Sequence, residues 1–201
     1  AVQSAWVGHP HLRVIDSDSS FETKIKKTIR AIDAVIGLEE SLEVERKFLV
    51  SSDFNPDSLE HLHKCFHIEQ TYLKSTDNTI ARIRRRQADG AATYTHTVKR
   101  AISPGVRQET EHQITGDQYM DLLAQADPAL KVVRKQRRCF LWASQYFELD
   151  TFLDPRSGLS VLELELDSMD DAYSLPPFIP VEKEVTDDER FTNYALAMND
   201  D

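Results

Sequence analysis

Carboxylates and cations recur at every second position along much of this chain. In LEVERKFLV (42–50), Glu43, Glu45 and Lys47 share one face of any strand, because successive strand side chains alternate sides. The spacing returns with Arg82 and Arg84 in IARIRRR, with Lys99 after Thr95 and Thr97 in TYTHTVK, and with Arg107, Glu109 and Glu111 in VRQETEH. It continues in Lys135 and Arg137 of RKQRR, in Asp150 on the parity of Glu148 in FELDTF, and in Glu163 and Glu165 of LELEL. A single strand of this kind is ordinarily half-buried with a solvated side. A series sorted into acidic and basic pairs points to chemistry. Clustered carboxylates supply hard oxygen ligands for Mg2+ or Mn2+, while spaced Arg and Lys side chains suit the oxygens of a polyphosphate. Together they describe a metal-bound triphosphate site.

Strands must position these groups. β-like stretches run over 42–50, 67–74, 78–86, 92–100, 106–115, 131–141, 144–153 and 159–167, separated by turn signals such as DG at 89–90, SPG at 103–105 and DPRSG at 154–158. Eight strands are enough to close a barrel. Helices are expected at 56–66, 116–126 and 187–198. Periodicity alone does not say whether the charged faces point outward to solvent or inward to a polar lumen. The sorting of charge by strand, and the helices available to cover an apolar exterior, favour the lumen. Buried charge is costly unless paired, ligated or wet, so such a lumen implies a multiply charged ligand.

Composition narrows the class. The 201 residues carry 34 acidic against 24 basic side chains, a formal charge of −10, which argues against general nucleic-acid binding. Bases are concentrated in ARIRRR (81–86) and KVVRKQRR (131–138), so a local anion site is compatible with an acidic protein. No apolar run approaches the roughly 20 residues of a transmembrane helix, and AVQSAWVGHP does not read as a signal peptide. Cys65 and Cys139 lack metal-type spacing. A cytoplasmic location is expected.

LEVERKF matches the Glu-x-Glu-x-Lys signature of the CYTH, or triphosphate tunnel metalloenzyme, family. The resemblance continues in order through RIR at 82–84, TVK at 97–99, RQETE at 107–111, KQR at 135–137, ELD at 148–150, ELE at 163–165 and EKEVTDDERFTN at 182–193. It implies an α+β fold over residues 41–201: an eight-stranded antiparallel β tunnel, closed as a barrel, with helices packed outside. It also implies metal-dependent hydrolysis of inorganic triphosphate or a nucleoside triphosphate. By this resemblance Glu43, Glu45, Glu109, Glu111, Asp150, Glu163 and Glu165 are candidate metal ligands for Mg2+ or Mn2+. Lys47, Arg82, Arg84, Lys99, Arg107, Lys135, Arg137 and Lys183 would hold phosphate oxygens. Lys135, Arg137, Glu163 and Glu165 form the candidate catalytic set. No position of the motif series is missing.

Residues 1–40 read differently. HLRVID (11–16) is expected to form a short strand, and FETKIKKTIRAIDAVIGLEE (21–40) an amphipathic helix. GHPHLRVIDSDSSFETKI resembles the end of an AAA-type P-loop NTPase domain of the kind that precedes a CYTH domain in some eukaryotic proteins, and would place an upstream NTPase domain in a longer chain. No Gly-x-x-x-x-Gly-Lys loop occurs. That fusion motivates a second reading, a binding module for a nucleotide or an anionic phospholipid such as phosphatidic acid, peripheral to membranes. A third is a class IV adenylate cyclase, which uses similar residues but attacks the α-phosphorus.

Other features have ordinary explanations. His61, His63 and His67 are expected as surface and boundary residues, Trp142 in outward packing, Arg85, Arg86 and Arg138 as rim or surface charges, and PPFIP (176–180) as a rigid connector.

Overall fold

Among the described residues, period-two alternation becomes nine strands. They are β1 Val44–Val50, β2 His63–Leu73, β3 Thr79–Ala88, β4 Ala91–Ser103, β5 Val106–Ile114, β6 Val133–Trp142, β7 Gln145–Asp154, β8 Ser160–Leu166 and β9 Val181–Glu184. The structure, a computed structural model, describes residues 5–9, 12–15, 20–36, 44–75, 79–103, 106–166 and 170–198, with backbone alone at 30, 33–36, 101–103 and 106–109. The hydrogen-bonded order is β5-β4-β3-β2-β6-β7-β8-β1-β9. Pairings of β1 with β8 and β9, β2 with β3, β3 with β4, and β4 with β5 are antiparallel. The strand beyond the expected eight is β9. Because β5 and β9 end the order, hydrogen bonds among the described residues do not close the sheet into the expected barrel.

Two hairpins fix register through their turns. Asp89 and Gly90 join β3 to β4 at φ 50° and 79°, and Ala143 and Ser144 join β6 to β7 at φ 48° and 61°. Left-handed backbone at both central residues suits the twist of the flanking strands. Gly90 adopts it without a Cβ penalty; Ala143 and Ser144 do so at a cost of about 1–2 kcal/mol per residue.

The chain divides into two compact units. The first comprises Ala1–Cys65, Arg138–Leu149 and Val161–Thr186. Its core takes Phe48 and Val50 from β1 and Leu162 and Leu164 from β8, with Phe140, Phe147, Leu149, Leu59 and Ile179. Phe178 and Tyr173, from the segment around PPFIP, pack against this apolar side. His61 stacks on Phe178 and meets Phe140 and Trp142 edge-on, and a ring nitrogen hydrogen-bonds the Leu141 carbonyl at 2.8 Å. The outward packing expected of Trp142 is therefore found. Arg138, expected at the surface, is instead 4% exposed and paired with Asp57.

The second unit comprises Phe66–Arg137, Asp150–Ser160 and Asp187–Asp201. Here the apolar face of β3 and β4 is covered by a helix. Leu73, Ile83 and Tyr119 form the buried centre, joined by Ala81, Tyr94, Ile114, Leu122 and Leu123. That helix, Gly116–Leu123, starts at a capping box in which the Thr115 side chain accepts the Gln118 amide and the Gln118 side chain accepts the Thr115 amide.

Three expected elements differ. The helix foreseen at 56–66 is a 3-10 turn, Pro56–Ser58, capped by Asn55, and β2 begins at His63. Alternating burial of Phe66, Ile68, Gln70 and Tyr72 on a paired strand overrides the local helical spacing. The helix foreseen at 187–198 splits at Thr192, whose extended backbone ends the Glu189–Phe191 turn and whose side chain caps the short helix Asn193–Ala197. Residues 12–15 form no strand, and His11 and Asp16 lie outside the described residues. Of the helix expected over 21–40, Phe21–Ile36 forms and residues 37–40 lie outside the described residues; its stripe of Phe21, Ile25, Ile29 and Ile32 is exposed. No helix among the described residues is long and apolar enough to cross a membrane. Neither Cys65 nor Cys139 forms a disulfide among the described residues.

Candidate functional site

In the first unit, the face of β1 and β8 opposite the core carries the charges. Cross-strand register sets Lys47 against Glu163 and Glu45 against Glu165. The Lys47 ammonium lies 2.9 Å from a Glu45 carboxylate oxygen and 3.3 Å from a Glu163 oxygen. Lys47 and Glu163 side chains are only 12% and 13% exposed, so this is no freely solvated surface. Burial works to lower the lysine's affinity for its proton, but the charges and hydrogen bonds of Glu163 and Glu45 prevail and hold its pKa above the ordinary value. Glu165 remains more open and pairs with Arg13 at 3.6 Å.

The EKEVT stretch secures this strand. The Lys47 N–H donates to the Thr186 hydroxyl at 3.1 Å, and the Val185 N–H donates to the Lys47 carbonyl at 2.8 Å. Thr186 in turn donates to Glu184 at 2.7 Å, which also accepts from Arg46. Lys183 sits opposite Leu49, a register position on the same face as Lys47, and is exposed. Glu43 lies outside the described residues.

In the second unit two rows cross the strands. One runs Tyr72, Arg82, Thr97, Glu111; the other runs Gln70, Arg84, Thr95, Gln113. Lys99 follows on the same side, opposite Glu109. Arg107 and Glu109 are placed by backbone register alone. Thr97 is fully buried and donates to Glu111 at 2.7 Å. Burial of Glu111 favours its protonated form, yet the charge of Arg84, the Thr97 hydrogen bond and the charges of Arg82 and Lys99 outweigh it and depress its pKa. Its side chain nevertheless keeps solvent-exposed surface. Arg84 donates to the Gln70 side-chain oxygen at 3.3 Å, and Gln70 donates to the Tyr72 hydroxyl at 2.9 Å.

Also in this unit, Lys135, Arg137 and Asp150 form a buried trio, 1%, 8% and 0% exposed. Arg137 grips Asp150 through two hydrogen bonds, Nε to Oδ1 and Nη2 to Oδ2, each 2.6 Å, and Lys135 Nζ donates to Oδ2 as well. Lys135 further donates to the Asn193 side chain at 3.3 Å. Desolvating such charges is expensive, and here the carboxylate offsets the cost with paired geometry. The trio still carries one more positive than negative charge.

Among the described residues no three His, Cys, Asp or Glu side chains converge into a preformed metal cage. The donor chemistry nonetheless fits the implied ion: Glu45 and Glu163 already converge on one cationic group, and Glu165 lies across from Glu45. These are hard oxygen donors of the type Mg2+ and Mn2+ take. Asp150 is engaged differently, with both oxygens turned to cationic side chains.

Charge patterning did not reveal Gln70, Tyr72, Thr97, Thr186 or Asn193. All are neutral, and the signal that exposes them is their parity or proximity to charged partners.

The CYTH domain family model matches residues 41–191. An inorganic triphosphatase of Nitrosomonas europaea is 36% identical over 160 residues, covering 78% of this chain and 97% of that protein. A second, from Acetivibrio thermocellus, is 29% identical over 158 residues, covering 78% and 94%. The crystal structure of the inorganic triphosphatase NE1496 superposes with TM-score 0.54 at 32% identity, covering 80% of this chain and 97% of the other. On the ordered motifs, the strand topology that carries them and this span of similarity, the chain belongs to the CYTH domain family.

Proposed function

We propose that the protein is a divalent-metal-dependent triphosphatase, hydrolysing inorganic triphosphate or the triphosphate of a nucleotide. The observation that carries this reading is which faces are protected. In each unit the apolar side of the strands is packed beneath other elements, while the charged side keeps Lys47, Arg82, Lys135 and Arg137 mostly out of water. Cations held so against the cost of desolvation support a site for a polyanion. The names of the related triphosphatases identify the polyanion class. We further propose that the strands enclose this face as the closed β tunnel the family resemblance implies.

Glu45, Glu163 and Glu165, with Glu43, would hold Mg2+ or Mn2+, which when bound supplies Lewis-acid neutralisation of phosphate charge. The protein's own groups do the rest. Arg82, Arg84, Lys99 and Arg107, with Lys47 and Lys183, would bind and orient phosphate oxygens, using the planar guanidinium fork where two oxygens are available. Lys135 and Arg137 would stabilise charge that develops on the transferring or leaving phosphate, pre-aimed by Asp150 so that little reorganisation is needed. We therefore assign Asp150 to the cationic side of the chemistry. Glu163 and Glu165 would also order the attacking water. We assign residues 1–40 to a segment outside the catalytic domain, which the exposed apolar stripe of Phe21–Ile36 supports, with Arg13 reaching Glu165 from it.

The test is phosphate release from tripolyphosphate, ATP and GTP with Mg2+ or Mn2+, comparing wild type with Glu163→Gln and Glu165→Gln. Each substitution is expected to lower metal-dependent turnover by about a hundredfold or more, with the fold intact by circular dichroism. Undiminished release in both variants would refute the assignment; tripolyphosphate bound without release by wild type would convert the reading to a binding module.

A further inference from the structure

We propose that Gln70 is a positioning residue that fixes the Arg84 guanidinium for an incoming phosphate without adding a negative charge beside it. The inference rests on the triphosphate reading above and deepens it. Gln70 is fully buried, and a buried amide is costly unless both its ends are hydrogen-bonded. Both are. Arginine can only donate, so the Gln70 oxygen must face Arg84 Nη2, at 3.3 Å; this leaves the amide nitrogen to donate to the Tyr72 hydroxyl, at 2.9 Å. The far anchor is rigid, because Tyr72 is 4% exposed and its ring meets Tyr194 edge-on at 5.2 Å. A hydrogen bond to one Nη holds the guanidinium plane against rotation.

The adjacent register position shows why an amide matters. β2 and β3 pair Gln70 with Arg84 and Glu69 with Arg85. Arg85, on the opposite face, receives a carboxylate, Glu69, at 3.2 Å. Successive arginines of one strand thus meet successive residues of its neighbour, one a charge-cancelling acid and the other a neutral amide. The amide stands on the face that carries Arg82 and Lys99. Arg84 already lies in the field of Glu111; a second acid, at position 70, would compete further with phosphate, and an amide supplies the same geometry without adding to that competition.

The experiment compares Gln70→Leu, Gln70→Glu and Tyr72→Phe with wild type, and with Glu69→Gln as an opposite-face control. Tripolyphosphate binding is followed by calorimetry, hydrolysis by phosphate release, stability by thermal melting and the Arg84 side-chain N–H signals by NMR. Gln70→Leu is expected to weaken tripolyphosphate binding about tenfold, raising KM far more than it lowers kcat. Gln70→Glu is expected to be at least as stable as Gln70→Leu yet to bind more weakly still, so that stability and binding run in opposite order. Tyr72→Phe, the milder change, should weaken binding about threefold and serves if Gln70→Leu fails to fold; Glu69→Gln should stay within twofold. Binding within twofold of wild type in every folded Gln70 and Tyr72 variant, or affinities that simply follow melting temperature, would overturn the proposal. Wild type that neither binds nor hydrolyses tripolyphosphate would sink the triphosphatase reading instead. The positioning claim is then decided by NMR: slow rotation of the Arg84 guanidinium in wild type and fast rotation in Gln70→Leu sustains it, and identical rotation in both overturns it.

Discussion

Replacing Asp150 with asparagine separates two roles that one carboxylate could have. Asp150 is fully buried, and Lys135 Nζ with the Nε and Nη2 of Arg137 all donate to it. Asparagine keeps the shape but removes the charge and turns an NH2 group toward donors. Breaking a buried ion pair from one side costs about 3–5 kcal/mol. Against a total stability of about 5–15 kcal/mol this is a large fraction, and in a chain of this size it corresponds to a melting temperature lower by roughly 6–20 °C. The assay is urea denaturation and thermal melting of wild type and Asp150→Asn in excess EDTA. A Lys135→Met change in the Asp150→Asn background should recover part of the loss, since it removes one orphaned cation. If Asp150 were instead a metal ligand, removing its charge would leave the metal-free protein unchanged or more stable, and added Mg2+ would stabilise wild type selectively. Metal-free Asp150→Asn within about 1 kcal/mol of wild type would therefore refute the counterion argument.

Glu111 and Lys47 give opposite pH signatures. The folded-state pKa of Glu111 is depressed, so its contribution is present above the ordinary carboxylate value of about 4.3 and is lost as pH falls through the lower folded value. Because Glu111 retains exposed surface, Glu111→Gln should cost no more than about 1 kcal/mol at neutral pH, with the difference shrinking below about pH 4 in denaturation series. Lys47 is held above the ordinary lysine value, so its contribution is complete below about pH 10.4 and is lost only as pH rises through the higher folded value. Lys47→Met should destabilise by about 1.5–3 kcal/mol, uniformly from pH 6 to 9; a deficit that changes across that window would contradict the Glu45–Lys47–Glu163 pairing.

Much of this arrangement is legible in the sequence because charge at period two is rare on a face that is also half-buried. The alternation in LEVERKF, ARIRRR and LELEL identified β1, β3 and β8, while the protected side was favoured by the sorting of charge between strands and not by the alternation. Neutral partners were hidden for a physical reason: Gln70 and Thr97 look like any polar strand residue until register sets them beside Arg84 and Glu111. The family resemblance counts Asp150 among the candidate metal ligands; its contacts with Lys135 and Arg137 are tertiary, and no spacing in the sequence shows them. β9 was missed because four residues following PPFIP carry too little alternation to register, and its strand character comes from pairing with β1. The helix expected at 56–66 failed where local spacing and strand pairing disagreed, and pairing prevailed.

The hairpin turns carry an implication for how this protein can change over generations. β3 and β4 are joined by two residues only, as are β6 and β7, with both central positions in left-handed backbone. A strand whose two sides differ so sharply has a reading frame of two: inserting or deleting one residue between such a turn and Arg84 or Arg137 would exchange the charged set for the packed apolar set. Length variation within these hairpins is confined to paired steps or to a compensating bulge. Single-residue deletion scanning should therefore find β3 and β6 intolerant along their whole length.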